Sequence, residues 1–257
     1  KIETVAIVLA AGQGKRMNSS LPKVAHKLLD KPMILWVIQS LIEVNIKNIV
    51  VVISPVQQVV KDVILNQKFD SNVCIQIAYQ ENPLGTAHAA QCGFDLVSKS
   101  SFVNDNMNVL IAYGDTPAVK NSTYQKLLDM HEQSQKDFTL LAFEAKNPFG
   151  YGRILIDHKN EFLAIREEKD CSEEEKEIHL CHSGFLCGKY GVFKSTLSKV
   201  KNNNAANEYY LTEVPSIARQ NGLKIGVLTG IPEEELLGIN SQEQLRAMEI
   251  FMSKEVN

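Results

Sequence analysis

The sequence is short of aromatic residues, at 7% with a single tryptophan, and its formal net charge is only −3. The lack of excess cations argues against a nucleic-acid partner, which needs a basic face. No apolar run approaches the roughly 18–20 residues that span a bilayer, so no membrane association is expected. No charged-then-apolar secretory leader opens the sequence, although Lys1 stands where a start methionine would, which leaves the natural N-terminus open. The five cysteines, Cys74, Cys92, Cys171, Cys181 and Cys187, are odd in number and lack C-x-x-C spacing. That pattern predicts reduced thiols in a cytoplasmic protein rather than disulfides or a zinc site. Internal repeats, low-complexity tracts and flexible linkers are missing as well. What remains, 257 residues at 44% hydrophobic and 22% charged, is the composition of a globular chain with a sizeable core. One compact unit whose second half covers a substrate is expected, rather than two separable domains.

The chain is organised around Val5 to Lys23, VAIVLAAGQGKRMNSSLPK. Val5 to Leu9 is an apolar run of the kind a fully buried parallel strand shows. Ala10, Ala11 and the glycine-spaced loop Gly12-Gln13-Gly14 follow, then the cations Lys15, Arg16 and Lys23. Small residues admit a ligand close to the backbone, and glycines let successive N–H groups point into one concavity that suits a phosphate. Arg16 and Lys23 would complete the charge neutralisation. The loop is not a Walker A motif, because Leu9 and Arg16 stand where glycine and Ser or Thr are required. It is not the dinucleotide fingerprint either, because Met17 replaces the third glycine. Taken alone, two glycines after a strand also fit an ordinary tight turn.

Strand and helix patterns alternate through the first half. A helix is expected from Pro32 through Ile42, with Met33, Ile34, Val37, Ile38 and Leu41 recurring at its spacing, then a strand over Asn48 to Ile53. Pro55 to Leu65 reads as a helix with Val56, Val59, Val60 and Val63 inward. Val73 to Tyr79 reads as a strand, Gly85 to Val97 as a helix, and Met107 to Ala112 as a strand ending at Tyr113-Gly114-Asp115. Ser122 could cap a helix through His131, and Phe138 to Phe143 is a fifth strand. This alternation implies βαβ units and an α/β fold with a mostly parallel twisted sheet and helices on both faces. After Asn147 the rhythm changes to short strand-like runs, Arg153 to Ile156 and Phe162 to Ile165. The dense charge run Arg166 to His179 reads as a solvated loop or helix face. Lys224 to Leu228 is a last strand and Ser241 to Met252 a terminal helix, with Thr212 able to cap a helix through Ala218.

In an open parallel sheet, ligands sit beyond the carboxyl ends of the strands. The loop Ala10 to Arg16, Gln80, Gly85-Thr86 and Tyr113-Gly114-Asp115 all follow strands and would converge on one crevice. Asp115 suits Mg²⁺, which prefers carboxylate and phosphate oxygens, but a turn or helix-cap aspartate fits its position equally. Gln80 can pair with a base edge or be a polar loop residue.

The segments LAAGQGKRM, LPKVAHKLLDKPM, Gln80 with PLGTAHA, YGDTP, FGYGRI, Glu167 with EEKD, and NNNAANEYYLTE occur in that order. Together they resemble the uridyltransferase domain of the bacterial bifunctional N-acetylglucosamine-1-phosphate uridyltransferases, with its Rossmann-like nucleotidyltransferase fold. The resemblance covers nearly the whole chain, and YGDTP and NNNAANEYY are more diagnostic than any glycine pair. It implies a nucleotidyltransferase domain over residues 1–251 and a C-terminal tail at 252–257. It also implies synthesis of UDP-N-acetylglucosamine and pyrophosphate from UTP and N-acetylglucosamine 1-phosphate, for cell-wall and lipopolysaccharide precursors, with Mg²⁺ as cofactor. By the same resemblance Leu9, Ala10, Ala11, Gly12 and Gly14 would line the nucleotide. Gln80 would read uracil, Gly85 and Thr86 would touch the nucleotide, and Arg16 and Lys23 would hold phosphates. Asp115 and Asn240 would bind Mg²⁺, with Arg16, Lys23 and Asp115 carrying the catalysis. Tyr113, Gly114, Asp115, Gly152, Glu167, His182, Tyr210, Thr212 and Asn240 would surround the sugar. On their own, Glu167 reads as a surface residue of its charge run, Asn240 as a loop or cap residue, and Tyr210 as a half-buried aromatic.

Two departures stand out. The family has Asn-Thr-Gly where this chain has His182-Ser183-Gly184, so an amide contact to the sugar becomes an imidazole. A nearby Glu167 would raise the His182 pKa and burial would lower it. The family's left-handed β-helix of hexapeptide repeats, which carries acetyltransfer, has no counterpart up to Asn257, which fits either a stand-alone enzyme or a fragment. The remaining histidines, His26, His88, His131, His158 and His179, have no assigned role, and the oligomeric state is left open. Competing readings are a nucleotidyltransferase for another sugar 1-phosphate or triphosphate, and a non-catalytic nucleotide-sugar binder.

Overall fold

A computed structural model of the chain describes residues 2–255. Its strands are β1 (Thr4–Leu9), β2 (Lys27–Leu28), β3 (Lys31–Pro32), β4 (Asn48–Ile53), β5 (Cys74–Tyr79), β6 (Asn108–Tyr113), β7 (Phe138–Glu144), β8 (Arg153–Ile156), β9 (Phe162–Arg166), β10 (Leu180–Lys189) and β11 (Ile225–Leu228). Its helices are α1 (Met33–Glu43), α2 (Gln58–Leu65), α3 (Thr86–Val97), α4 (Asn121–Ser134), α5 (Glu173–Lys176), α6 (Tyr190–Leu197), α7 (Glu213–Gln220) and α8 (Gln242–Glu255). The main sheet has the order β11-β7-β10-β6-β1-β4-β5, with β8 and β9 paired beside β10. All neighbours along this path are parallel except β10, which runs antiparallel to both β6 and β7. The mostly parallel α/β sheet expected from the sequence is therefore present, with one reversed strand inserted.

The strands are apolar on both faces because both faces are covered. Along β1, Ala6 and Val8 join the core beneath α1, α2 and α4, while Val5, Ile7 and Leu9 join the core beneath α3, α6 and α7. The period of two splits β4 in the same way, with Ile49, Val51 and Ile53 on one side and Val50 and Val52 on the other. A third cluster of Met17, Leu28, Met33, Ala118, Ile239, Leu245 and Met248 fastens α8 to the glycine loop.

Several elements differ from the sequence expectation. Helix α2 begins only at Gln58, after a turn, so Val56 is 88% exposed and Val59 is also exposed; Val60 is buried and Val63 packs against the core as expected, and Ile64 joins them. Helix α4 starts at Asn121 after Lys120, which leaves Ser122 inside the first turn instead of at the cap. The charge run is fastened rather than freely solvated: Arg153 is 1% exposed and ion-paired to Glu168, Arg166 meets Glu175, and Ser172 with Glu175 forms a capping box on α5. Helix α8 continues to Glu255 and so covers most of the expected tail, whose residues 256 and 257 lie outside the described residues. No helix among the described residues is long and apolar enough to cross a membrane, and all five cysteines are free thiols.

Candidate active site

Strand β1 has β4 on one side and β6 on the other, all three parallel. The chain leaves β1 toward β4 and reaches β6 only later, which opens a crevice at their carboxyl ends. Ala10 N–H donates to Val52 O at 2.9 Å and Gly114 N–H to Leu9 O at 3.0 Å, so both strand exits are pinned. A cleft of about 320 Å³ lies there, lined by the predicted residues Leu9, Ala10, Ala11, Gly12, Lys23, Gln80, Gly85, Thr86, Tyr113, Asp115 and Tyr210. Gln13 of the predicted loop lines it too, as do Val24, Pro83, Ala89 and Glu208, to which no role was assigned.

The glycine loop wraps over a lysine stem. Gly14 has φ +63°, and a Cβ there would come within 2.6 Å of Lys23 Cβ, so glycine is required both for the turn and for the contact. Gly14 therefore acts behind the loop, not in the cleft wall. Gly12 has open space at its missing Cβ. Its carbonyl accepts from Gln57 Nε2 at 3.1 Å, while Gln57 Oε1 accepts from Ser54 N at 2.8 Å. Gln57 is 5% exposed and holds the loop to the end of β4, a role with no local sequence signal. Arg16 is exposed and stands outside the cleft lining, with no hydrogen bond or ion pair among the described residues.

Lys23 reaches the centre of the site. Its Nζ donates to Asp115 Oδ2 at 2.7 Å and to Asn240 Oδ1 at 2.9 Å. Asn240 is brought there because Ile239 N–H donates to Asp115 O at 2.9 Å, while Gln242 donates to Met17 O. Gly238 faces both acceptors: a Cβ there would lie 3.6 Å from each Asp115 oxygen and 3.7 Å from Asn240 Nδ2. The expected arrangement had Lys23 on a phosphate and Asp115 with Asn240 on a metal; here the ammonium itself bridges the two oxygen ligands. One carboxylate and one amide oxygen fit Mg²⁺, which takes few protein ligands and completes its shell with phosphate and water. Among the described residues no cluster of three His, Cys, Asp or Glu side chains offers a self-sufficient metal cage.

On the other wall, Gln80 follows β5 and is 7% exposed. Its Nε2 donates to Gly85 O at 3.1 Å and meets His88 Nδ1 at 2.9 Å. Gly85 has φ +109°, and its missing Cβ would lie 2.4 Å from Tyr209 O, so only glycine lets the Asn-rich segment approach this closely. Ala87 N–H donates to Tyr209 O and Leu211 N–H to Thr86 Oγ1, each at 2.9 Å. The Thr86 hydroxyl thus already serves the backbone of the NEYYL segment. Asn204 closes that segment's loop, donating to Glu208 O at 2.7 Å.

The predicted sugar residues fall into two groups. Tyr113, Asp115 and Tyr210 line the cleft, and Asn240 joins it through Lys23. Gly152, Glu167, His182, Gly114 and Thr212 do not line it. Gly114 is packed against Ala10, Val24 and Ile34, where a Cβ would meet them at 3.0–3.2 Å. Thr212 precedes α7 without a side-chain cap bond, contrary to its expected capping role. Gly152, Glu167 and His182 form their own cluster: His182 N–H donates to Gly152 O at 2.9 Å, and the Glu167 oxygens would lie 3.5 and 3.6 Å from a Cβ on Gly152. His182 is 8% exposed with Nδ1 buried and unpartnered among the described residues, and burial pushes its pKa down to about 4. Desolvation therefore outweighs any pull from Glu167, and the imidazole is neutral at physiological pH. Tyr113 links this cluster to the cleft, since its hydroxyl donates to Gly184 O at 3.0 Å and burial raises its pKa.

Comparison with known proteins agrees with this geometry. A family model described as the MobA-like NTP transferase domain matches residues 6–178. The chain is 39% identical over 253 residues to a bifunctional protein GlmU of Thermoanaerobacter pseudethanolicus, covering 98% of this chain and 52% of the relative. It is 40% identical over 252 residues to the GlmU of Clostridium kluyveri, covering 98% and 53% respectively. The chain thus spans about half the length of these curated relatives. A crystal structure of a Bacillus anthracis protein, provisionally named a glucose-1-phosphate thymidylyltransferase and solved with sucrose, superimposes with TM-score 0.76. That match covers 99% of this chain and 96% of the other at 16% identity, a likeness of fold. A sheet of this topology, with its glycine loop at the crevice and a family match over most of its length, makes this chain a member of the MobA-like NTP transferase domain family.

Proposed function

We propose that the chain transfers uridylyl from UTP to N-acetylglucosamine 1-phosphate, releasing pyrophosphate and forming UDP-N-acetylglucosamine, as a soluble cytoplasmic supplier of cell-wall precursors. The observation that carries this reading is the convergence of the glycine loop, Gln80 and the Asp115–Lys23–Asn240 group on one cleft. The 39–40% identity to GlmU proteins over 98% of the chain supports this choice of substrates.

The reaction needs no protein nucleophile. A sugar 1-phosphate is mostly dianionic at neutral pH, because phosphomonoesters lose their second proton near pKa ~6. One of its oxygens attacks the α-phosphorus of UTP, a P–O bond forms, and the bond to the β-phosphate oxygen breaks in line. The task of the protein is to hold two polyanions together. Ala11, Gly12 and Gln13 line the cleft together with Lys23, and the exposed Arg16 follows in the same loop as a second cation for the phosphates. Once Lys23 swings from Asp115 and Asn240 to the triphosphate, its ammonium stabilises the departing pyrophosphate. Mg²⁺ held by Asp115 and Asn240 would supply charge neutralisation between the two phosphates. Gln80, Tyr113 and Tyr210 all line the cleft, which supports Gln80 as the base contact and the two tyrosines as sugar contacts.

The test is pyrophosphate release with each of the four common nucleoside triphosphates against N-acetylglucosamine, glucosamine and glucose 1-phosphates. Turnover highest with UTP and N-acetylglucosamine 1-phosphate is expected. Turnover with a different pair would reassign the substrates, and none with any pair would reduce the chain to a nucleotide-sugar binder.

A further inference from the structure

Gln80 Nε2 is fully committed inside the protein. One of its hydrogens points to Gly85 O at 3.1 Å and the other to His88 Nδ1 at 2.9 Å. Which end of an amide is nitrogen follows from its partners. A backbone carbonyl only accepts, so the Gln80 atom facing Gly85 must be the NH₂ group. That group has no lone pair to offer, so His88 Nδ1 must be the unprotonated nitrogen of the ring, with its proton on Nε2. Gln80 Oε1 then has no donor among the described residues, yet it is not one of the buried unpartnered atoms. It opens on the cleft that Gln80 lines beside Gly85 and Ala89.

We propose that His88 is a positioning residue for base selection: with Gly85 O it locks the Gln80 amide so that only its carbonyl faces the base. A fixed acceptor at that point selects a pyrimidine that presents a ring N–H, as uracil and thymine do at N3. Cytosine carries a lone pair at N3, which faces the Oε1 lone pair and leaves both acceptors unsatisfied. Rotating the amide to suit cytosine would turn Oε1 against Gly85 O and remove the donor from His88. The lock therefore discriminates through two bonds that never touch the nucleotide. His88 sits in the first turn of α3, three residues after Gly85, so the turn that admits Tyr209 also carries the imidazole that meets Gln80. This inference rests on the proposed uridylyl transfer and deepens it from a choice of substrate to the device that makes the choice.

The experiment measures the ratio of kcat/KM for UTP to that for CTP in wild type, His88→Leu and His88→Asn, with N3-methyl-UTP as a third nucleotide. The fraction of active enzyme cancels in the ratio, so a partly unfolded variant does not distort it. Leucine removes the acceptor, and asparagine restores one because its Oδ1 can stand where Nδ1 stood. Wild type should prefer UTP over both CTP and N3-methyl-UTP by about 10- to 100-fold, the scale of one unpaired acceptor. His88→Leu should lower the UTP-to-CTP ratio by about five- to tenfold, since one of two locking bonds of ~1 kcal/mol is lost, and His88→Asn should recover most of it. An unchanged ratio in His88→Leu, or use of N3-methyl-UTP as readily as UTP, overturns the proposal. If no triphosphate turns over in the wild type, the transfer reading fails separately. Calorimetric binding of UTP and CTP to the same three proteins then decides the lock, with equal affinities in the wild type overturning it.

Discussion

Replacing Lys23 by alanine should move two observables in opposite directions. Its ammonium lies 2.7 Å from Asp115 Oδ2 and 2.9 Å from Asn240 Oδ1, so a divalent cation reaches that pair only when the ammonium leaves. At an effective dielectric of about 20, unit charges at this separation attract by roughly 6 kcal/mol before desolvation is subtracted. The Lys23 and Asp115 side chains retain 11% and 24% exposure, which sets the pair between surface and interior. Exposed pairs are worth about 0.2–1 kcal/mol and breaking a buried one costs about 3–5 kcal/mol, so a net competition of about 1–2 kcal/mol is expected here. Removing it should tighten binding of Mn²⁺, a paramagnetic stand-in for Mg²⁺, to the nucleotide-free protein by about 5- to 30-fold. The same variant loses the cation that meets the departing pyrophosphate, and kcat/KM should fall by about 10²–10³-fold. Electron paramagnetic resonance titration of wild type, Lys23→Ala and Asp115→Asn reads the first effect, and pyrophosphate release the second. If Lys23→Ala binds Mn²⁺ no more tightly while Asp115→Asn loses it, the lysine does not compete for the site. A loss of activity under tenfold would mean that the loop holds phosphate by its backbone alone.

Two further perturbations test the scaffold. Gly85→Ala places a Cβ 2.4 Å from Tyr209 O at φ +109°, whereas Gly150→Ala at φ +87° meets open space. Urea titration should show Gly150→Ala losing about the 1–2 kcal/mol of backbone strain and Gly85→Ala clearly more; equal losses would show that the NEYYL segment is not pressed against this turn. Burial holds both His131 and His182 near a pKa of about 4, with Lys189 adding to the effect at His131, against 6.5 when unfolded. Between these values the unfolded chain binds more protons, so stability present above pH 6.5 should drain away as pH falls toward 4, by at most about 3 kcal/mol per histidine. Melting temperatures of His131→Gln/His182→Asn across that window should fall less steeply than those of wild type, and parallel curves would remove these histidines from the acid response.

The strands of the first half were legible because burial on both faces leaves runs such as Val5 to Leu9 and Asn48 to Ile53 with no polar interruption. Their division between two cores follows from the period of two alone. On α2 the inward places of Val60 and Val63 were legible, whereas those of Val56 and Val59 were not, because a turn delays the helix to Gln58 and leaves Val56 outside it. The direction of β10 was not legible either. An apolar run from Leu180 to Cys187 says strand, but its antiparallel place between β6 and β7 is a long-range outcome. The charge run is the solvated face that was expected, with no buried residue on α5, but its anchor was not legible for a similar reason: the buried Arg153 lies outside the run.

The site itself divides along the same line between local and long-range information. A loop that follows a strand exposes its chemistry in consecutive letters, so Ala10 to Gly14, Gln80, Gly85 and Asp115 could be assigned to one crevice by the rule for parallel sheets. Lys23 and Asn240 stand 92 positions before and 125 after Asp115, as separations of 92 and 217 from Lys23 require, and no local pattern joins them. Resemblance to a family can name such residues, but it names them in the roles of a substrate-bound site. The structure adds what resemblance omits, the contacts that these residues make with one another. The Asp115 carboxylate would repel an incoming phosphate, and the Lys23 ammonium beside it offsets that charge while also holding the neutral Asn240 amide. On the proposed function, the ammonium meant for the leaving group is held by the residues meant for the metal, so that moving Lys23 to a triphosphate would also free Asp115 and Asn240 for Mg²⁺ and couple the two events.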